Sequence, residues 1–430
     1  MYLCALKYIY MRTKQKKQYT IIDLFAGAGG LSEGFIQAGF YPIAHVEMDK
    51  DACSTLKTRC CYHYLYAHGQ LSMYHQYLKG EISRETLYGS VPADIINSVI
   101  NAEISDSTID SIFQQIKKLA QNKKIDFIIG GPPCQAYSLL GRHKKDMDND
   151  PRTLLYLQYG KFLKEFSPRG FVFENVPGLL SSKKGEHFKN LQIYFRELGY
   201  NVYFKMLNAS NYGVIQDRHR LIIVGWKQDE DFGYPDIQTT ELTATINDLL
   251  YDLPNLKAGE VQQISCYSHS TNQYLLESGI RLSDDTFVTQ NIARSLNSND
   301  ANIYAYAIKL WNENGVRVKY TDLPAEYKTQ KNEKSFLDRF KVVDGNGKSH
   351  TIVAHLSKDG HYYIHPSLDC CRSISVREAA RIQSFPDNFY FEGSRSAMYK
   401  QIGNAVPPLM AKAIAESIKQ IMQNKKTIIK

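Results

Sequence analysis

Short apolar runs recur along the first half of the chain, separated by stretches whose apolar residues fall three and four apart. Tyr19–Phe25 reads YTIIDLF, a β-branched run that ends in a glycine turn, AGAGG. LSEGFIQAG follows with helical spacing, and YPIAHVEMD then alternates again before ending in acids. This is a strand–loop–helix–strand unit. Further strands are predicted at Ile125–Ile129, Gly170–Phe173 and Leu221–Val224, with amphipathic segments such as His187–Leu198 between them. Strands alternating with helices predict an α/β fold on a doubly wound, mostly parallel sheet.

Residues about 56–124 interrupt that rhythm. They are rich in Tyr and His early and helical in pattern over Asp106–Ala120, and read as an insertion. After Trp226 the pattern changes, and from about Leu253 to Cys371 the chain is polar, aromatic and turn-rich. DGNGK (344–348) is a turn, and KDGHYYIHP (358–366) reads as a turn feeding a strand. Helices are predicted over Ser375–Ser384 and Pro408–Gln423. The expected organisation is a basic tail over 1–18, a first domain over 19–252, a second, smaller domain over 253–371, and a return to the first over 372–430.

Composition narrows the class. A chain of 430 residues with 43% hydrophobic residues can bury a normal core. The net charge of +8 fits a polyanionic partner without demanding one. Eight cysteines are present, none spaced as CxxC, which speaks against a paired-cysteine zinc site and a disulfide framework. No apolar run reaches the ~18 residues of a membrane span. A cytoplasmic, monomeric protein without metal or membrane attachment is expected.

Five residue groups can carry chemistry. DLFAGAGG follows a strand and opens a helix, so backbone N–H groups can face a ligand. Glu47 ends the next strand twenty residues after Gly27, where an acid can hold two ribose hydroxyls. GGPPCQAYS (130–138) follows the strand IDFII, which places Cys134 at the strand's C-terminal end, where parallel sheets bind ligands. Its prolines fix φ and remove donors. FENVP (173–177) places Glu174 at a similar strand end, able to hydrogen-bond a ring nitrogen. In QDRHR (216–220), Gln216, Arg218 and Arg220 share one face of a strand. QIGNAVPP (401–408) precedes the last helix, which Asn404 can cap. His350, His355, His361 and His365 form no HExxH pattern and read as polar surface.

Taken in order, DLFAGAGG, GGPPCQ, FENVPG, QDRHR, REAARIQSFPDNF and QIGNAVPP resemble the DNA cytosine-5 methyltransferase family of bacterial restriction–modification systems, over Asp23 to Pro408. The resemblance implies a Rossmann-like methyltransferase domain with a target-recognition domain over 253–371. It implies S-adenosylmethionine as methyl donor, S-adenosylhomocysteine as product, and double-stranded DNA as substrate. Phe25, Gly27, Gly29, Gly30 and Leu31 match the family's cofactor loop, Glu47 the ribose acid and Met48 the residue packing on adenine. Glu103 and Ile104 in NAEIS are placed near the adenine, with Asp94 as a rival; Gly131 and Pro133 precede the nucleophile, and Leu155 in DPRTLLY lies at the cofactor. Asn404 and Val406 match the closing motif. Cys134 is then the nucleophile that attacks C6, Glu174 the group at N3, and Arg218 the group at O2, with Gln216 and Arg220 orienting the site. The loop after Cys134, with Arg142, Lys144 and Lys145, resembles one that closes over DNA.

Three other readings stay open on sequence alone. An RNA cytosine-5 methyltransferase shares these motifs, but its transfer-RNA subgroup carries a CFT signature that is absent here. A non-catalytic relative would not need Cys134, Glu174 and Arg218. A dinucleotide oxidoreductase has no use for PPCQ or ENVP. A cognate restriction endonuclease acting on the same site is a further partner of such an enzyme.

Overall fold

The computed structural model describes residues 18–133, 154–328 and 337–428, with side chains described to 424. Cys134, the loop carrying Arg142, Lys144 and Lys145, and nearly all of the basic tail lie outside the described residues.

The first apolar run forms β1 (Thr20–Leu24), all five residues buried. The glycine turn leads into α1 (Gly30–Gln37), and YPIAHVE forms β2 (Tyr41–Glu47). A long helix, α2 (Lys50–Ala67), follows, capped by the Asp49 side chain on the N–H groups of Asp51 and Ala52. Short helices α3 (Leu71–Leu78), α4 (Arg84–Gly89) and α5 (Ala93–Asn97) come next. Then come β3 (Val99–Asn101), α6 (Ile109–Ala120) and β4 (Phe127–Gly130). After residues 134–153 the chain forms α7 (Leu155–Phe166), β5 (Gly170–Asn175), α8 (Glu186–Glu197) and β6 (Tyr200–Asn208). A two-residue strand, β7 (Gln216–Asp217), precedes β8 (His219–Lys227).

Seven strands join in the order β3-β2-β1-β4-β5-β8-β6. β1 to β5 run parallel, while β8 is antiparallel to both β5 and β6. The order reverses between β1 and β4, which makes their C-terminal ends the expected ligand crevice. The stretch read as an insertion is only partly one. β3 is a sheet strand, and Ile109, Ile112 and Ile116 of α6 belong to the main core. The Tyr- and His-rich part packs on α2, where the Tyr74 ring meets Tyr62 edge-on at 5.1 Å.

By its contacts the chain divides into two compact units. One takes in Met1–Asn208, His219–Thr239 and Pro408–Lys430; the other, Ala209–Arg218 and Thr240–Pro407. In the first, α14 (Pro408–Ile428) lies on α1 so closely that a Cβ on Gly34 would sit 2.4 Å from the Lys412 backbone nitrogen. In numbering, α9 (Ile246–Leu250), α10 (Gln273–Glu277), α11 (Ser298–Asn314), α12 (Val376–Ile382) and α13 (Arg395–Asn404) belong to the second unit, with the antiparallel pair β9 (Val261–Cys266) and β10 (Phe287–Ile292) and the short β11 (Ser349–His350).

Packing puts residues 372–407 with the second unit rather than the first, and buried charge explains why. Every residue of α12 is buried, including Arg377, Glu378 and Arg381. Arg381 pairs with Asp387 and Asp252, Arg372 forks onto Glu378, and Arg377 donates to the Thr289 and Phe389 carbonyls. The bonds of Arg377 to Thr289 and of Arg381 to Asp252 tie the REAARIQSFPDNF stretch to strand and loop segments more than 80 positions away. The strand expected in KDGHYYIHP does not form. Ile364 alone bridges to Val342 and Ser373, because the surrounding backbone turns.

Candidate active site

Glu174 and Arg220 meet in the first unit. β5 and β8 are antiparallel, with Glu174 opposite Ile222, so Arg220 lies two residues along on the same face. Its Nε stands 2.7 Å from Glu174 Oε1, and both side chains are nearly buried. Arg220 Nη1 also donates to the His219 carbonyl at 2.8 Å.

The loop leading to Cys134 lies against this pair. A Cβ on Gly131 would sit 2.5 Å from Glu174 Oε2, and one on Gly130 2.4 Å from the Leu24 carbonyl oxygen. The two glycines are thus required by a carboxylate on one side and by β1 on the other. Pro132 is fixed a second way, since buried Asn175 donates from Nδ2 to its carbonyl at 3.4 Å and accepts from Val176 N–H at 2.9 Å. Pro133 is exposed. Asn175 was not singled out from sequence, although it sits inside the quoted ENVP motif.

The glycine turn forms a second part of the same unit. Phe25, Gly27 and Gly29 all have positive φ, at 55°, 55° and 86°. A Cβ on Gly29 would meet Leu56 of α2 at 2.7 Å, whereas one on Gly27 would meet nothing within 4 Å. Gly30 and Leu31 start α1 and are buried. Glu47 Oε2 accepts the Gly27 N–H at 2.7 Å, and Oε1 accepts the N–H groups of Met48 and Asp49. Burial pushes the Glu47 carboxyl up, and these backbone donors hold it back. Met48 beside it is 59% exposed. Asn101 donates to the Glu47 and Met48 carbonyls, and Ala102 N–H reaches the Glu47 carbonyl at 3.0 Å. Glu103 and Ile104 follow directly, the first exposed and the second in the core. Leu155 opens α7, half-buried.

One face of α2 supports this turn. Cys53 donates to the Glu47 carbonyl at 3.2 Å, Leu56 packs under Gly29, and Arg59 forks onto Glu33 of α1 at 2.7 and 2.9 Å. His63 reaches the same carboxylate at 2.9 Å. Burial alone would raise the Glu33 carboxyl, but Arg59 and His63 hold it well below the usual range. Sequence reasoning missed this cluster, although 53, 56, 59 and 63 recur at helical spacing.

Gln216 and Arg218 fall in the second unit with each other. Both are fully buried. Gln216 Oε1 accepts the Ile352 N–H, and its Nε2 donates to the Ile382 carbonyl and to Gln383 Oε1. Arg218 donates to the carbonyls of Ile352, Gly403 and Ala405. Gln383 completes the cluster by donating to the Ile402 and Ala405 carbonyls. Asn404 is the exposed last residue of α13, which removes the expected cap on the following helix, and Val406 is buried. The four histidines have separate partners: His350 the Tyr362 carbonyl, His355 Asp359, His361 Tyr304, and His365 Glu378.

Comparison with known proteins identifies the assembly. A model of C-5 cytosine-specific DNA methylases matches residues 19–92 and 95–420. The type II methyltransferase M.Bpa9945I of Bacillus paralicheniformis is 41% identical, over 94% of this chain and 99% of that protein. M.DdeI of Desulfomicrobium norvegicum is 32% identical, over 94% and 89%. Among solved structures, a prophage-encoded DNA modification methyltransferase of E. coli shares the fold, with a TM-score of 0.62 and 22% identity over 94% of this chain and all of that one. The seven-stranded sheet, the glycine turn and the GGPP and ENVP strand ends are those of a Rossmann-like methyltransferase, and the chain belongs to the C-5 cytosine-specific DNA methylase family as a DNA (cytosine-5)-methyltransferase.

Proposed function

We propose that the enzyme methylates a cytosine flipped out of a specific duplex sequence, through a covalent bond between Cys134 Sγ and C6, as the modification half of a restriction–modification system. The type II methyltransferase names of its relatives support that setting, and a cognate endonuclease acting on the same site is the partner it implies. In this reading residues 253–371 recognise the sequence. Flipping costs a few kcal/mol, which contacts to the duplex must offset.

The first unit fits S-adenosylmethionine. Open space lies over Gly27, Glu47 keeps acceptor capacity on Oε2 beside its one backbone donor, and Met48 offers an exposed apolar surface. Phe25, Gly29, Gly30, Leu31, Glu103, Ile104 and Leu155 would complete the part of the site that this unit supplies. When bound, S-adenosylmethionine supplies a methyl group on a cationic sulfur and leaves as S-adenosylhomocysteine.

Cytosine C5 is too weak a nucleophile to take that methyl group unaided. Bond formation between the Cys134 thiolate and C6 pushes the ring π electrons toward N3 and O2 and makes C5 an enamine carbon. Glu174 shares a proton with N3 and accepts from the 4-amino group. Arg220, already against Glu174, donates to O2 and balances the charge. This gives Arg220 the task that sequence alone assigned to Arg218, whose guanidinium is buried on three carbonyls. C5 then takes the methyl group and loses its proton to water, and the electron pair of that C–H bond re-forms C5=C6 as the sulfur departs with its own pair.

The observation carrying this reading is the Glu174–Arg220 pair set over the loop that leads into Cys134. A duplex bearing 5-fluorocytosine at the target tests it, because fluorine cannot leave C5 as a cation. The wild type becomes covalently attached to that duplex, and Cys134→Ser does not. Methylation of normal duplex with no trapped species would contradict the adduct.

A further inference from the structure

The second unit carries its positive charge unevenly. Residues 317–358 hold nine Lys and Arg against five Asp and Glu, whereas 253–316 hold four against six. Two cations of the richer stretch stand out. Arg317 is exposed, its guanidinium 4.3 Å over the Trp311 ring centroid, with Nη1 donating to the Val342 carbonyl at 3.0 Å. The ring and that single bond fix the fork while leaving other N–H groups unused among the described residues. Lys341 is the neighbour of Val342, and its backbone is locked by bonds to His361 and Ile364. Its half-buried ammonium has no hydrogen bond or ion pair among the described residues.

These charges oppose one another. Burial pushes the Lys341 ammonium down, Arg317 pushes it further, and Asp338 only partly restores it. Asp344 acts on Arg317 at a distance, but among the described residues no carboxylate forms an ion pair with either cation. His350 adds no charge. Its Nε2 donates to the Tyr362 carbonyl, its ring stacks on Tyr363, and burial with Lys341 and Arg317 nearby holds its pKa down to about 3. Two partly dehydrated cations with no counter-ion among the described residues are a seat for an anion.

We propose that Arg317 and Lys341 hold a backbone phosphate of duplex DNA, giving affinity and register without reading sequence. This rests on the proposed DNA-recognising role of the second unit. A bound phosphate would supply the negative charge that no described carboxylate brings into an ion pair with either cation, and the Arg317 fork suits its geometry.

The test is a salt titration of binding to a fluorescent duplex, with S-adenosylhomocysteine present, for the wild type, Lys341→Met, Arg317→Gln and Lys341→Arg. Removing one phosphate contact lowers the slope of log K against log salt by about 0.9. Lys341→Met and Arg317→Gln are each expected to show that loss, with tenfold or so weaker binding and unchanged affinity for S-adenosylhomocysteine. Lys341→Arg keeps the wild-type slope. Unchanged slopes in both neutral variants, with salt-dependent binding by the wild type, overturn the seat alone. A wild type that shows no salt-dependent duplex binding overturns the DNA-binding reading beneath it. Arg317→Gln, on an exposed side chain, keeps the test open if Lys341→Met does not fold.

Discussion

Gln216, Arg218 and Arg220 do not share one strand face as the spacing predicts: Gln216 lies in β7, Arg220 in β8, and Arg218 between the two strands. Neither the burial of their side chains nor their partners could be read from sequence. Arg218 lies on three backbone carbonyls while Arg220 lies on a carboxylate, and the two arginines do different work. Arg220→Ala is expected to lower kcat by about 10²–10³, the range for one lost donor at a developing charge, and to leave the melting temperature within a few degrees. Arg218→Ala strands buried acceptors and is expected to cost about 3 kcal/mol or more of stability. Parallel kcat and melting measurements separate the two, and the opposite pattern would return the O2 contact to Arg218. Gly131 belongs to the same scale. Gly131→Ala drives a Cβ into Glu174, so kcat is expected to fall on the order of 10-fold or more while binding of S-adenosylhomocysteine persists.

At the scale of elements, the alternation of strands and helices followed from the rhythm of apolar runs, but the order of the strands and the helix that braces the glycine turn did not. α2 has little overall amphipathic pattern, since its contact face mixes Cys53, Leu56, Arg59 and His63. Only the fold brings Glu33 opposite Arg59, thirty positions or fewer away yet on another helix. Arg59→Met leaves the Glu33 charge buried and is expected to cost about 3–5 kcal/mol, and adding Glu33→Gln recovers most of it. Chemical denaturation of both variants checks this; equal losses would show that packing rather than charge joins the helices. The other buried helix, α12, predicts a pH effect. Burial would raise Glu378, but Arg372 and His365 bring it down to about 2. Its folded pKa lies below the unfolded value, so its contribution is present above about pH 4.5 and is lost as pH falls toward 2. Glu378→Gln is expected to flatten that part of a melting-temperature-against-pH curve.

Across the whole molecule, motif order along nearly the entire chain was legible, and with it the fold and the family. What composition could not give was the allocation of segments. The polar stretch beginning near 253 looked like a domain of its own, yet buried arginine pairs carry residues 372–407 into the same unit. Charge pairs across 80 or more positions leave no local pattern to read. The central claim is that Cys134 drives cytosine-5 methylation of a specific duplex site. Bisulfite sequencing of DNA from cells expressing the wild type and, separately, Cys134→Ser tests it most directly. The account predicts protected cytosines at one short recurring sequence in the first and none in the second; no protected sequence with folded wild type, or equal protection with the serine variant, would contradict it.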